Sequence, residues 1–378
     1  MTEPTSRRTN VSTKETESTS QRASVSTKKD KGSLGRPSLL KRLLRRKGAA
    51  AGAAFIAGML VLSYLSPLLA NNKPLVIRYD GVLRFTAFRD LFPFRLWLAP
   101  DPVALKLQQD PDWLLNQKLL KDPKVGTFLL PPVPYSPYQT RLDDLHAKPS
   151  LASRHYFGCD DSGRDVLARV LHGAKVSLLV GFLAVGVALL VGVALGAVGG
   201  FAGGWIDAAV ISPLIEVMMC FPGFFFILTV VAVMDVRFLN VWTVMLVIGL
   251  TSWPGMARFA RAEFLRLRGA EFVSAARSLG APPASVAVRH VLPNAMAPLL
   301  VNAAFGVAYA VLMEASLSFL GVGVQPPEPS WGNILNQVTK YWDEWWLGVF
   351  PGAAVFLAVL SYNLLGEGLR DALDVRQG

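Results

Sequence analysis

Six apolar stretches, each long enough to cross a bilayer and carrying little or no charge, constrain this chain more than any other feature. They are Gly48–Ala70, Val176–Ile206 (one helix over about 176–199, then a Gly-rich turn), Val217–Met234, Phe238–Ala257, Val291–Met313 and Trp345–Gly366. A spanning helix needs about 20 consecutive apolar residues. Because lipid offers no hydrogen bonds, the backbone must satisfy itself in helices. The expected fold class is therefore an all-α integral membrane protein with six transmembrane helices. Composition agrees: 52% of residues are hydrophobic and 17% are charged, against roughly 25% charged in soluble domains. The formal charge of +11 is uneven, since residues 1–47 hold 13 basic and 4 acidic residues. That places the charge in a tail rather than on a basic face, and no nucleic-acid partner is expected.

Positive charge sets orientation. Lys41, Arg42, Arg45, Arg46 and Lys47 abut the first stretch, which predicts a cytoplasmic N-terminus and, with six spans, a cytoplasmic C-terminus (N-in/C-in). The loop between the fourth and fifth spans then falls inside. It carries Arg258, Arg261, Arg266, Arg268, Arg277 and Arg289 against Glu263 and Glu271. The expected organisation is a disordered basic cytoplasmic tail (1–47), a first transmembrane helix (48–70), an external insert (71–157), an amphipathic interfacial helix (158–175), a five-helix core (176–369) with a cytoplasmic loop at 258–293, and a cytoplasmic C-terminus (370–378). The first span reads as a retained anchor, its apolar run being longer than a signal core. The insert holds 11 of the 25 prolines. Its segments LVIRYDG and VLRFTAF suggest short strands about an Asp80-Gly81 turn. In 158–175, Asp161 or Ser162 can cap the helix, and Arg164, Arg169 and His172 lie off its apolar face; the alternative is that this segment simply extends the second span.

The loop 271–298 carries the most specific pattern. Ser274-Ala275-Ala276 is followed by Gly280 at the expected interval, then by His290 and Leu292-Pro293. Gly280 permits a left-handed turn between two short helices, at about 270–279 and 283–289, and Pro293 suits a first helical turn. This spacing resembles the EAA motif of ABC importer permeases, with Ser274 in place of Glu and His290 in place of Ile. GCDDSGRDVLARVLHGAKVSL (158–178), FAGGWID (201–207), FPG (221–223), RHVLPN (289–294) and EASLSFLGVG (314–323) resemble the oligopeptide/dipeptide branch. NNKPLVIRYDG (71–81) looks most like the microcin C-type permease.

The resemblance implies a type I importer core in the bacterial inner (cytoplasmic) membrane. In it, Ser274, Ala275, Ala276, Gly280, His290, Leu292 and Pro293 form a coupling segment seated on an ATPase. Implied partners are a second permease subunit (a heterodimer), two ABC ATPase domains and an external solute-binding protein. The implied cargo is peptide; the alternatives are nickel or another small solute, or a membrane enzyme acting through the insert. No GxxxxGK[ST], HExxH, GxSxG or CxxC pattern occurs, so ATP hydrolysis is expected on partner subunits, and no cofactor or metal is called for. Glu314, in the outer part of the fifth stretch, is a candidate for lining a pathway, with a structural contact as the alternative. Gly181, Gly186, Gly192 and Gly196 suit close helix packing. Cys159 and Cys220 fall on different parts of the chain and are not expected to pair.

Overall fold

The computed structural model describes residues 43, 45–91, 101–109, 123–238 and 240–373. The expected disordered tail lies almost wholly outside the described residues, as do parts of the insert and the end of the C-terminal segment. Eight helices organise the remainder: α1 (Lys47–Tyr64), α2 (Val166–Ala197), α3 (Ser212–Cys220), α4 (Gly223–Val233), α5 (Val241–Arg268), α6 (Glu271–Ser278), α7 (Leu292–Phe319) and α8 (Trp345–Leu373).

Among the described residues, four helices are long and apolar enough to cross a membrane: Lys47–Tyr64, Val166–Ala202, Pro283–Phe319 and Trp345–Leu373. Gly204–Cys220 and Gly223–Val233 make a fifth if counted together, but they meet at 82°. The third stretch is thus bent rather than straight. Pro222 lies in extended backbone at the break, where its ring cannot continue α3. The 28-residue α5 is about 42 Å long. Its second half carries Arg258, Arg261, Glu263, Arg266 and Arg268, so its apolar content falls short of the other four.

The helices approach one another through small residues. A Cβ on Gly192 would stand 2.9 Å from the Ala257 backbone nitrogen, and one on Gly196 would stand 2.6 Å from the Ala257 carbonyl. Gly200 continues this stripe against Arg261 of α5, and Gly181 meets Val307 of α7. Without a hydrophobic force between helices in lipid, such contact depends on close packing. Gly186 is a correction, because open space surrounds it. On the other side of the bundle, Gly52 of α1 sits against the Ser361 carbonyl of α8.

The region before α2 also differs from expectation. Residues 158–165 form turns, and 166–175 are the opening of the uninterrupted α2 rather than a separate interfacial helix. Asp165, not Asp161 or Ser162, is the cap, accepting from the Ala168 backbone N–H at 2.7 Å. Arg169, expected off the apolar face, is only 1% exposed. Its Nη2 donates to Asn333 at 3.0 Å and its Nε lies 3.6 Å from Asp160. Asp160 is itself buried and accepts from the backbone N–H groups of Ser162 and Arg164, both at 2.9 Å. This polar hub fastens the turn to the segment before α8, where Gln337 also reaches Asp160 and Asp161.

The insert contains the expected hairpin, β1 (Val76–Tyr79) and β2 (Val82–Arg84), with Asp80 and Gly81 at positive φ in the turn. A third strand, β3 (Val125–Leu129), pairs antiparallel with β1 and gives the order β2-β1-β3. A short helix, Pro102–Gln109, packs Val103 and Leu107 on Ile77 and Tyr79. Both cysteines are free. Burial drives the Cys159 thiol far above its usual range, leaving it a neutral packing group.

Candidate functional site

The 271–293 segment forms a short helix and a rigid return. Glu271 occupies the first turn of α6 and Arg277 the last, each at the end its charge favours. The helix closes on Gly280 at φ 81. There the Gly280 N–H donates to the Arg277 carbonyl at 2.9 Å and the Ala281 N–H to the Ala276 carbonyl at 3.2 Å. This pair of bonds is the Schellman closure, which needs a left-handed residue where Gly280 stands.

Two contacts hold α6 to the bundle. Val273 is fully buried, and the Arg277 guanidinium lies 5.2 Å over the Phe201 ring at the end of the α2 stretch. The opposite side of α6 is open. Ser274, Ala275 and Gly280 are exposed and Ala276 is half-buried. Phe272 and Leu279 are also exposed, Leu279 at 88%. Phe272, Ala275 and Leu279 fall at helical spacing on one side, so the tip presents an apolar row to whatever lies beyond it. The motif reading missed Phe272 and Leu279; their spacing about Ala275 was the available signal.

The return is not a second isolated helix. Pro283–Val286 passes through a π-helical turn, Ala287–Val291, directly into α7. Val286 and Val291 are fully buried along it. His290 and Leu292 are half-buried, Pro293 is exposed, and the Asn294 side chain donates to the His290 carbonyl at 2.7 Å. Pro293 therefore lies within a continuous helical course, where the wider π turn accommodates its missing N–H.

Further along α7, the same helix walls a cleft of about 520 Å³, opposite α2, α5 and the α3–α4 break. Asn302, Tyr309, Thr251 and Ser252 are its polar groups, Met218, Met219 and Met256 are among its apolar ones, and no lining side chain is charged. The Thr251 hydroxyl is turned back on the Val247 carbonyl at 2.7 Å. Beside the cleft, Arg261 grips Asp207 with two hydrogen bonds of 2.6 Å, tying α5 to the entry of α3.

Glu314 does not join this cleft. It is fully buried, and Ser318 donates to it at 2.7 Å. Ser318 also accepts from the Val324 N–H, fixing the Gly-rich loop after α7. Along α7, Asn302 and Tyr309 line the cleft, whereas Glu314, the sequence candidate for a pathway, is turned into the bundle.

The described residues thus combine a bundle of long apolar helices, an exposed knob continuous with one of them, and a cleft along that same helix. Residues 188–377 match the family of binding-protein-dependent transport system inner membrane components, and the chain belongs to that family. It is accordingly a membrane component of a transporter and not an enzyme. A peptide permease protein of Brucella ovis is 41% identical over 247 residues, covering 65% of this chain and 80% of that protein. The dipeptide transport system permease protein DppC of Alkalihalophilus pseudofirmus is 38% identical, over 59% of this chain and 72% of its own length. A peptide transport system permease protein of Brucella suis is 43% identical, over 59% of this chain and 74% of its own length.

Proposed function

We propose that this chain is one permease subunit of an ATP-driven peptide importer in the bacterial inner membrane. The peptide and dipeptide permeases among its relatives support the cargo. An uncharged cleft with three methionines also suits it, since flexible thioethers adapt to varied side chains. In this reading α1, α2, the bent α3–α4 pair, α5, α7 and α8 make six spans, with both termini and α6 on the cytoplasmic side. A second permease closes the open side of the cleft, an external binding protein delivers peptide, and two ATPase domains drive the cycle.

The observation that carries the reading is the course of the chain from α6 to the cleft. Phe272, Ala275 and Leu279 offer an apolar helix face to a groove in another protein. The Schellman closure fixes the tip, and an unbroken helix runs from Pro283 through Phe319 along the cleft wall. Movement of a seated ATPase would be passed to α7 as a rigid-body displacement. Ser274, Ala275, Ala276 and Gly280 form the seat, while His290, Leu292 and Pro293 form the return.

The test is Leu279→Asp in the assembled transporter. Leu279 is exposed, so membrane insertion and thermal stability should be unchanged. Co-purification of the ATPase subunits should fall about tenfold or more, the loss of one buried leucine with a charge left in its place. Normal ATPase recovery with normal uptake would refute the seat.

A further inference from the structure

We propose that this subunit holds a membrane phospholipid in a second cleft, on the insert side of the bundle and separate from the transport cleft. The inference rests on the membrane class of the protein and not on the peptide reading. The cavity measures about 860 Å³ and lies over α2 between α1 and α5, both of which pack on α2.

Its walls are graded in the same sense on all three helices. On α2, Lys175 lies toward the insert and Leu179 one turn deeper. On α1, Tyr64 lies toward the insert and Leu60 one turn deeper. On α5, Val241 follows Asn240 and Met245 lies one turn deeper. Residues four apart on a helix share a face, so the α1 and α2 walls run from a polar rim to an apolar floor, and on α5 the Asn240 cap stands at the rim above apolar Val241 and Met245. Tyr64 and Trp242 at the rim are 60% and 61% exposed, the placement of aromatic side chains at headgroup depth.

Charge selects the headgroup chemistry. Of the cavity's acidic groups, Asp90 is engaged by Lys73 at 2.6 Å and Glu328 receives the Tyr138 hydroxyl at 3.3 Å. Among the described residues no carboxylate pairs with Lys175, which stands exposed at the rim. A basic group with no carboxylate partner among the described residues, set above an apolar slot, fits a phosphodiester carrying an acyl chain, with the chain against Leu179, Leu60 and Met245.

The experiment uses the complete transporter in nanodiscs of phosphatidylethanolamine and phosphatidylglycerol, followed by detergent exchange and native mass spectrometry. The intact complex and the Lys175→Arg variant should retain phospholipid, and Lys175→Gln should retain about fivefold less. A photoreactive amino acid in place of Leu179 should crosslink to an acyl chain. Equal retention by Lys175→Gln, or no retained lipid in the parent complex, would overturn the proposal. So would a crosslink from position 179 to another protein subunit, which would make the cleft a protein interface. Protection of the site by inorganic phosphate without any acyl crosslink would assign it to a soluble phosphate and equally overturn the lipid. Peptide uptake is not the readout, so failure here leaves the transport reading standing.

Discussion

Gly280 shows how a single position sets the geometry of the knob. A Cβ there would meet nothing within 4 Å, so bulk is not what excludes other residues. The constraint is φ 81, which favours glycine and is tolerated by asparagine. Gly280→Asn should therefore keep ATPase recruitment near the parent level. Gly280→Val, costing about 1–3 kcal/mol of backbone strain at this turn, should reduce recruitment while leaving insertion intact. Quantifying co-purified ATPase for the two variants checks this. Equal loss in both would mean that the tip needs an open surface rather than a left-handed turn.

Between elements, the cost of separating charges decides which contacts matter. Asp160 and Arg169 are both buried, and Asp160 also orders the turn before α2. Removing one member of a buried ionic group costs about 3–5 kcal/mol because its partner is stranded. Asp160→Ala should thus lower the thermal unfolding midpoint sharply. Glu263→Ala, which breaks a more exposed pair with Arg266, should cost at most about 1 kcal/mol. Similar shifts for the two variants in a detergent melt would show that the hub contributes no more than a surface pair. Periodicity could not reveal this hub. Arg169 reads as a solvent-facing residue, and its partners Asp160 and Asn333 come from distant parts of the sequence.

Across the whole molecule, what the sequence disclosed follows its local physics. Long apolar runs announced four of the six expected spans as long apolar helices and a fifth as a bent pair, and the Asp80-Gly81 pair announced the hairpin. The spacing from Ser274 to Pro293 marked the segment that folds as the knob. Features arising between distant segments stayed hidden: the pairing of β3 with β1, the inward turn of Glu314, and the bidentate Asp207–Arg261 contact. The 82° bend also stayed hidden, because the apolar run Val217–Met234 reads as one span and FPG within it carried only the family resemblance. The microcin C-type likeness rests on 71–81, beyond the family match of 188–377, so it adds nothing to the cargo beyond peptide.

The central claim is that this chain passes work done by separate ATPase subunits to a peptide cleft. The most direct measurement is uptake of a labelled peptide into proteoliposomes. One set would hold the assembled transporter with its binding protein, and another this chain alone. We expect uptake only by the assembly and only with ATP available to the ATPase subunits, abolished by Leu279→Asp at the end of α6. Peptide uptake by the isolated chain, or uptake by the assembly that proceeds without ATP, would contradict the account.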